Sequence, residues 1–177
     1  MKKMVMIAAV VCMAVLAQAA SIDWGVGNYT FTMPSGASLN GVSVYLINAA
    51  DQAGIVSAIM GSTFSSATAG VLDMGTTSNT KGYVAKRTAT SESLTAGTSY
   101  DFAMLVFDTV AGVQHYAIST PIPQAAYTVG VDEVALASFN AAAFSAGTGW
   151  QAVPEPTSMA LLALGVAALG LRRKFRA

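Results

Sequence analysis

Two pairs of carboxylates are the residues of this sequence that could hydrolyse a glycosidic bond. That reaction needs two carboxyl groups within roughly 10 Å of each other. Asp101 and Asp108 lie at the two ends of a predicted strand, about 23 Å apart if the strand is extended. Asp132 and Glu133 are adjacent, so strand alternation points them to opposite faces. Neither spacing indicates a catalytic pair.

Other chemically active side chains are sparse. His115 is the single histidine, so a histidine-rich zinc site is excluded and a solvated strand histidine is expected. The sequence holds neither a G-x-S-x-G nucleophile elbow nor a D-x-D-x-D-G calcium loop. Trp24 and Trp150 frame the middle of the chain, and each could stack on a sugar or seal one end of the fold. We predict no catalytic residue, no metal site and no cofactor.

The middle of the chain, residues 20–153, has the size and charge of one mildly acidic domain. It holds three cations and eight anions, a net charge of −5, although the whole chain is neutral. Nucleic-acid binding is disfavoured, because it requires a basic stripe. The only cysteine is Cys12, so a disulfide or thiolate metal site in this region is excluded.

Alternating apolar residues in this region predict a mainly β fold. The pattern is clearest at 99–108, where both faces are apolar and a central strand is expected. A more polar edge strand is predicted at 82–88, and a four-residue loop joins the central strand to the next one. The other predicted strands are 29–33, 42–48, 71–74, 113–119, 126–131 and 133–139. About seven or eight short strands favour an antiparallel β-sandwich.

One short helix and one linker interrupt this pattern. Residues 48–63 place Ile55, Ile59 and Met60 at helical spacing, with Asp51 as the expected N-cap and Gly61 as the stop. Residues 141–152 are rich in small residues and are expected to form a flexible linker after a body at 20–140. The segment 94–108 resembles strand entries of fibronectin-type-III-like domains, with Leu94 and Tyr100 at the spacing of a tyrosine corner.

The first 19 residues have the three-part pattern of a secretory signal peptide. Two lysines precede an apolar run from Met4 to Ala17, and Ala17-Gln18-Ala19 is a small-x-small triplet. We expect an apolar signal helix that signal peptidase removes after Ala19. The body is then exported across the inner membrane.

The C-terminal segment, 153–177, combines a proline-rich triplet, an uncharged span and a basic end. Pro154, Glu155 and Pro156 favour an extended backbone that an enzyme can recognise. Residues 157–171 would form a helix of roughly 22 Å, short for a bilayer. The residues expected to retain this transmembrane helix on the cytoplasmic side are Arg172, Arg173, Lys174 and Arg176. A permanent tail anchor is the alternative interpretation.

These features resemble the PEP-CTERM sorting signal of bacterial surface proteins, over about the last 25 residues. The resemblance implies recognition by an exosortase, a membrane transpeptidase-like enzyme. It also implies cleavage near the triplet, transfer to the cell surface or matrix, and a double-membrane bacterium that makes exopolysaccharide.

Three functions for the body follow from these observations. The first is a non-catalytic surface or extracellular-matrix protein, associated with exopolysaccharide. The second is a carbohydrate-binding module, which needs aromatic side chains exposed on one face. The third, a secreted glycoside hydrolase, needs the carboxylate pair that the spacing disfavours.

Overall fold

The strand predicted at the centre of the fold, around residues 99–108, is the longest strand that the structure describes. The structure is a computed structural model and describes residues 19–27, 31–128 and 147–154. Within these residues there are eight strands, a short 3₁₀ helix at Ala49–Asp51 and one α-helix, α1, at Gln52–Met60. The strands are β1 Ala20–Val26, β2 Ser43–Asn48, β3 Val71–Thr76, β4 Val84–Ser91, β5 Ser99–Val110, β6 Val113–Ile118, β7 Ile122–Ala125 and β8 Gln151–Ala152.

All strand pairs are antiparallel, and they form two unequal sheets. The larger has six strands in the order β3-β2-β5-β6-β8, with β7 also pairing with β5. The smaller consists of β1 and β4. The prediction of a mainly β fold with antiparallel strands and one short helix is therefore confirmed, and the second sheet has only two strands.

The two faces of β5 build two separate cores, as its alternation predicts. Phe102, Met104 and Val106 join one apolar cluster, whereas Ala103 and Leu105 join the other. β2 pairs with one edge of β5. β6 and β7 share the opposite edge, where β6 pairs with its second half and β7 with its first. The central position predicted for this strand is confirmed.

The β1–β4 layer covers one face of the large sheet, which we call the covered face. Ile22, Trp24 and Val26 of β1 are each at most 1% exposed and belong to the same cluster as Phe102. Helix α1 packs on the opposite face, the helix face, through Ile55 and Ile59. Met60, which ends the helix, is 39% exposed and does not share in this packing.

Turn chemistry fixes the β5–β6 hairpin. Ala111 and Gly112 form a two-residue turn, with φ of 50° and 86° respectively. Two positive φ values are what the right-handed twist of a tight hairpin requires, and glycine adopts the second without strain. At the entry to β5, the Tyr100 hydroxyl accepts a hydrogen bond from the Thr95 N–H at 2.9 Å, the local contact of a tyrosine corner.

Several sequence predictions need correction. β1 was not predicted, whereas residues 31–33 lie outside any strand although Phe31 is buried. Of the strand predicted at 126–131, the structure describes only residues 126–128, where Tyr127 forms an isolated bridge to Ser21. A strand, β7, lies just before them. Asp51 makes no side-chain cap bond; Asn48 Oδ1 accepts one from the Ala50 N–H at 3.1 Å and caps the 3₁₀ turn.

Some predictions fall on parts of the chain that the structure does not describe. These are the signal helix, the strand at 133–139 and the apolar segment 157–171. Within the described ranges, none of the helical segments has the length and apolar character needed to cross a bilayer.

Candidate functional site

The residues just before the proline-rich triplet are attached to the edge of the large sheet. The Thr148 N–H donates to the Ile118 carbonyl at 3.0 Å, and its hydroxyl accepts from the Ile118 N–H at 2.9 Å. Gly147 approaches the Ile118 carbonyl so closely that a Cβ would clash with it. These two hydrogen bonds between Thr148 and Ile118 position β8, the strand that follows.

β8 then pairs with His115 and Tyr116 of β6. The Val153 N–H donates to the Gln114 carbonyl at 2.8 Å, and its side chain is only 7% exposed, within the helix-face cluster. Pro154, the next residue, is exposed. The expectation of a flexible linker is thus corrected for residues 147–152, because backbone pairing and the burial of Val153 hold them against the body.

Of the two tryptophans, Trp24 cannot serve as a sugar platform. It is 1% exposed, and its Nε1 donates to Asp73 Oδ2 at 2.9 Å. Arg87 makes a bidentate contact with the same carboxylate, at 2.8 and 3.0 Å. Burial tends to raise the pKa of Asp73, but the bonds from Arg87 and Trp24 lower it below its usual value. Trp150 is half-buried and packs against the covered-face core.

A second carboxylate, Asp23, lies on β1 with its side chain fully buried. Tyr127 and Thr88 donate to its Oδ1 at 2.7 and 2.8 Å, and the Lys86 ammonium lies 2.6 Å from Oδ2. Burial acts to raise the pKa of Asp23, but the bonds from Lys86, Tyr127 and Thr88 lower it overall. This carboxylate is a structural group that ties β1 to β4 and to the chain beyond β7.

Of the carboxylates considered for catalysis, Asp101 and Asp108 are not brought together. Asp101 is exposed near the start of β5, whereas Asp108 is 7% exposed toward its end. Ser35 donates its N–H and its hydroxyl to Asp108 at 2.8 Å each, and the Thr109 N–H donates to Oδ1. Burial favours a higher pKa for Asp108, but these bonds hold it below the usual value. Asp132 and Glu133 lie outside the described residues.

The single histidine, His115, is an ordinary residue of strand β6. His115 pairs directly with Asp108 across β5 and β6, and its Nδ1 lies 3.0 Å from the Val113 carbonyl. In the part of the chain that the structure describes, no three His, Cys, Asp or Glu side chains are grouped to hold a metal ion.

Sequence analysis missed an aromatic groove on the helix face. Tyr45 and Phe64 meet edge-on with ring centroids 5.2 Å apart, and Phe107 packs against both at 5.9 and 5.1 Å. All three are half-buried and line a cavity of about 770 Å³. Polar side chains complete the lining, among them Ser35, Ser62, Thr109 and Gln114. The alternation of β2 and β5 places Tyr45 and Phe107 on this face, but Phe64 comes from a loop without periodicity.

Comparison with known proteins identifies the C-terminal segment. The family model described as a PEP-CTERM protein-sorting motif matches residues 152–174. The chain therefore carries this sorting motif, as the resemblance predicted, and the match begins within β8. No curated protein and no solved structure matches the chain. The motif implies export, processing by an exosortase and membrane-associated sorting to the cell surface.

Proposed function

We propose that this chain is an exported, non-catalytic surface or extracellular-matrix protein that an exosortase releases from the membrane by cleavage near Pro154, Glu155 and Pro156. The observation that carries the proposal is the sorting motif at 152–174, joined without a spacer to a folded β body. The body is delivered to the cell surface or matrix, where exopolysaccharide is its expected neighbour.

The start of the folded body supports export with removal of the signal peptide. β1 begins at Ala20, directly after the proposed cleavage at Ala17-Gln18-Ala19. Ala20 is 1% exposed and pairs with Ser91. Removal of residues 1–19 by signal peptidase therefore leaves the first strand intact.

The carboxylates of the body support a non-catalytic role. Among the carboxylates that the structure describes, Asp23, Asp73 and Asp108 have displaced pKa values, and each accepts several hydrogen bonds from neighbouring strands or loops. In all three the pKa is lowered. A glycosidase acid needs a raised pKa instead. These groups therefore hold the fold together.

The tail is proposed to hold the exported body at the membrane until cleavage. Residues 157–171 carry no charge, and the basic residues that follow them favour the cytoplasmic side. Replacement of the four cations Arg172, Arg173, Lys174 and Arg176 by Ser should release unprocessed protein into the medium. Replacement of Pro154, Glu155 and Pro156 by Ala should instead accumulate full-length protein in the membrane.

A blot of membrane, surface and medium fractions for both variants and the parent tests this scheme. If the triple-Ala variant is shortened and reaches the surface like the parent, the triplet is only a spacer. In that case a permanent anchor explains the tail better.

The aromatic groove favours a second candidate function, carbohydrate binding. Tyr45, Phe64 and Phe107 offer apolar ring faces, and hydroxyl and amide groups of the same cavity offer hydrogen bonds, the combination that sugars require. In affinity electrophoresis, purified exopolysaccharide of the source bacterium should retard the mature protein. Phe64→Ala should remove this retardation, whereas Tyr83→Ala, at a tyrosine 40% exposed outside the groove, should not. Equal mobility with and without polysaccharide would refute sugar binding.

A further inference from the structure

The match to the sorting motif starts inside the folded sheet. Ala152 belongs to β8, and Val153 is bonded to Gln114 and buried. Four chain steps separate Val153 from Thr157, the first residue of the uncharged segment. An extended chain covers at most about 14 Å over that length.

We propose that the docking of β8 on β6 controls processing, so that the exosortase cleaves the tail only after β8 has detached. This inference rests on the proposed function, in which residues 157–171 lie in the bilayer. With β8 docked, the body stands within about 14 Å of the membrane. A domain of this size has a radius of gyration of roughly 14 Å, so a body held this close to the bilayer obstructs the approach of a membrane enzyme to the triplet.

Detachment of β8 from β6 gives the enzyme access to the triplet without unfolding the body. Releasing residues 148–153 adds six residues of chain, roughly 20 Å of reach, without disturbing β5. It also frees the backbone before the triplet to enter an enzyme in extended form. The enzyme therefore acts on the minority of molecules in which β8 is open.

The pairing of β8 with β6 is expected to open more readily than the rest of the sheet. β8 has two residues and pairs with only two residues of β6, whereas β5 and β6 pair over six positions. Gln151 and Ala152 are exposed, so Val153 is the buried side chain of this strand end. Short, exposed edge elements open at low free energy while the core stays folded.

A reversible cross-link tests the proposal. His115 and Ala152 are direct partners across β6 and β8, and antiparallel partners lie about 4.5–5.5 Å apart at Cα, within disulfide range. The full chain carrying His115→Cys and Ala152→Cys should form this disulfide after export. Because the disulfide keeps β8 closed, the rate of processing in membranes should fall about tenfold or more. Reduction of the disulfide by dithiothreitol should restore the parental rate.

Controls separate docking from side effects of the substitutions. Each single-cysteine variant should be processed at the parental rate. The pair Ser43→Cys and Thr76→Cys, which are partners across β2 and β3, places the same cross-link at the other edge of the sheet and should leave processing unchanged.

A second variant moves the equilibrium the other way. Thr148→Ala removes the hydroxyl that accepts from Ile118, outside residues 152–174. The hydroxyl also donates to the neighbouring Gly149 carbonyl, but its bond to Ile118 is the one that joins the segment to β6. Loss of that bond should raise the open population, and thus the processing rate, roughly fivefold.

Two results would overturn the control of processing by β8 but leave the sorting scheme intact. One is processing of the β6–β8 cross-linked chain at the parental rate, and the other is slower processing of Thr148→Ala. A parent that is never shortened overturns both.

Discussion

The two faces of the large sheet are stabilised in different ways. On the covered face, β1 and β4 bury Trp24 and bond two carboxylates. Asp23 of β1 is bonded by three side chains, and Asp73 of β3 is bonded by Trp24 and Arg87. On the helix face, α1 supplies Ile55 and Ile59 and leaves the aromatic groove open beside it.

This difference assigns stability to one face of the sheet and binding to the other. The covered face is closed by hydrogen bonds that fix it in one arrangement. The helix face holds both the groove and the docked Val153, and Gln114 belongs to both: it lines the groove, and its carbonyl binds Val153. Ligand binding and tail release are therefore expected on the helix face, and most of the resistance to unfolding on the covered face.

The largest expected effect comes from the centre of the covered face. Phe102 is 0% exposed, so Phe102→Ala should lower the free energy of unfolding by about 3–5 kcal/mol. Phe107→Ala on the helix face removes a half-buried ring and should cost about 1–2 kcal/mol. Urea unfolding of the mature protein measures both. Equal losses would show that the two faces do not differ.

Asp23→Ala should have the next largest effect. It removes the acceptor of the Tyr127 and Thr88 hydroxyls, and because Tyr127 is buried the loss should cost about 1–3 kcal/mol. Asp101→Ala, at an exposed position of β5, is the matched control and should change stability by less than about 0.5 kcal/mol. An equally small change for Asp23→Ala would contradict the structural role of this carboxylate.

Acid should weaken the covered face. The folded-state pKa of Asp23 and of Asp73 lies below the usual 3.8, so the folded protein binds fewer protons than the unfolded chain as the pH falls. Their stabilisation is present above the unfolded pKa and is lost as pH falls through the folded one, a window below about pH 5. Urea midpoints between pH 7 and pH 3 should show this loss, and Asp23→Asn should reduce it. A slope unchanged by Asp23→Asn would assign the acid sensitivity to other groups.

Trp24→Phe is the finest probe of this face. It keeps most of the buried ring but removes the N–H that donates to Asp73, and should cost about 1 kcal/mol in unfolding free energy. Tyr83→Phe, at a side chain 40% exposed, should change stability very little. A neutral Trp24→Phe would mean that Arg87 and the Met74 N–H satisfy this carboxylate without the indole.

Local periodicity predicted the parts of the fold that depend on one face being buried. β2, β5, β6 and the helix follow from apolar alternation or helical spacing, and β5 was correctly placed at the centre. β1 was missed although Ile22, Trp24 and Val26 show the period-2 alternation of a strand. What that alternation does not indicate is that the intervening Ser21 and Asp23 are polar yet buried. Only their partners on β4 and at Tyr127 make that arrangement stable, and these partners are distant in sequence.

The sorting motif was predictable because its recognition depends on contiguous residues. The docking of residues 147–153 was not, since most of its bonds to β6 use backbone groups that any sequence offers. The one side chain that bonds β6 here, the Thr148 hydroxyl, belongs to no recognisable sequence pattern. The groove was missed for a related reason: its three rings come from two strands and a loop, and only folding brings them together.

The most direct test of the sorting scheme is the intact mass of the protein recovered from the cell surface. The account predicts a chain that begins at Ala20 and ends near the Pro154-Glu155-Pro156 triplet, without residues 157–177. A surface protein whose mass includes the full C-terminus through Ala177 would contradict it and establish the tail as a permanent anchor.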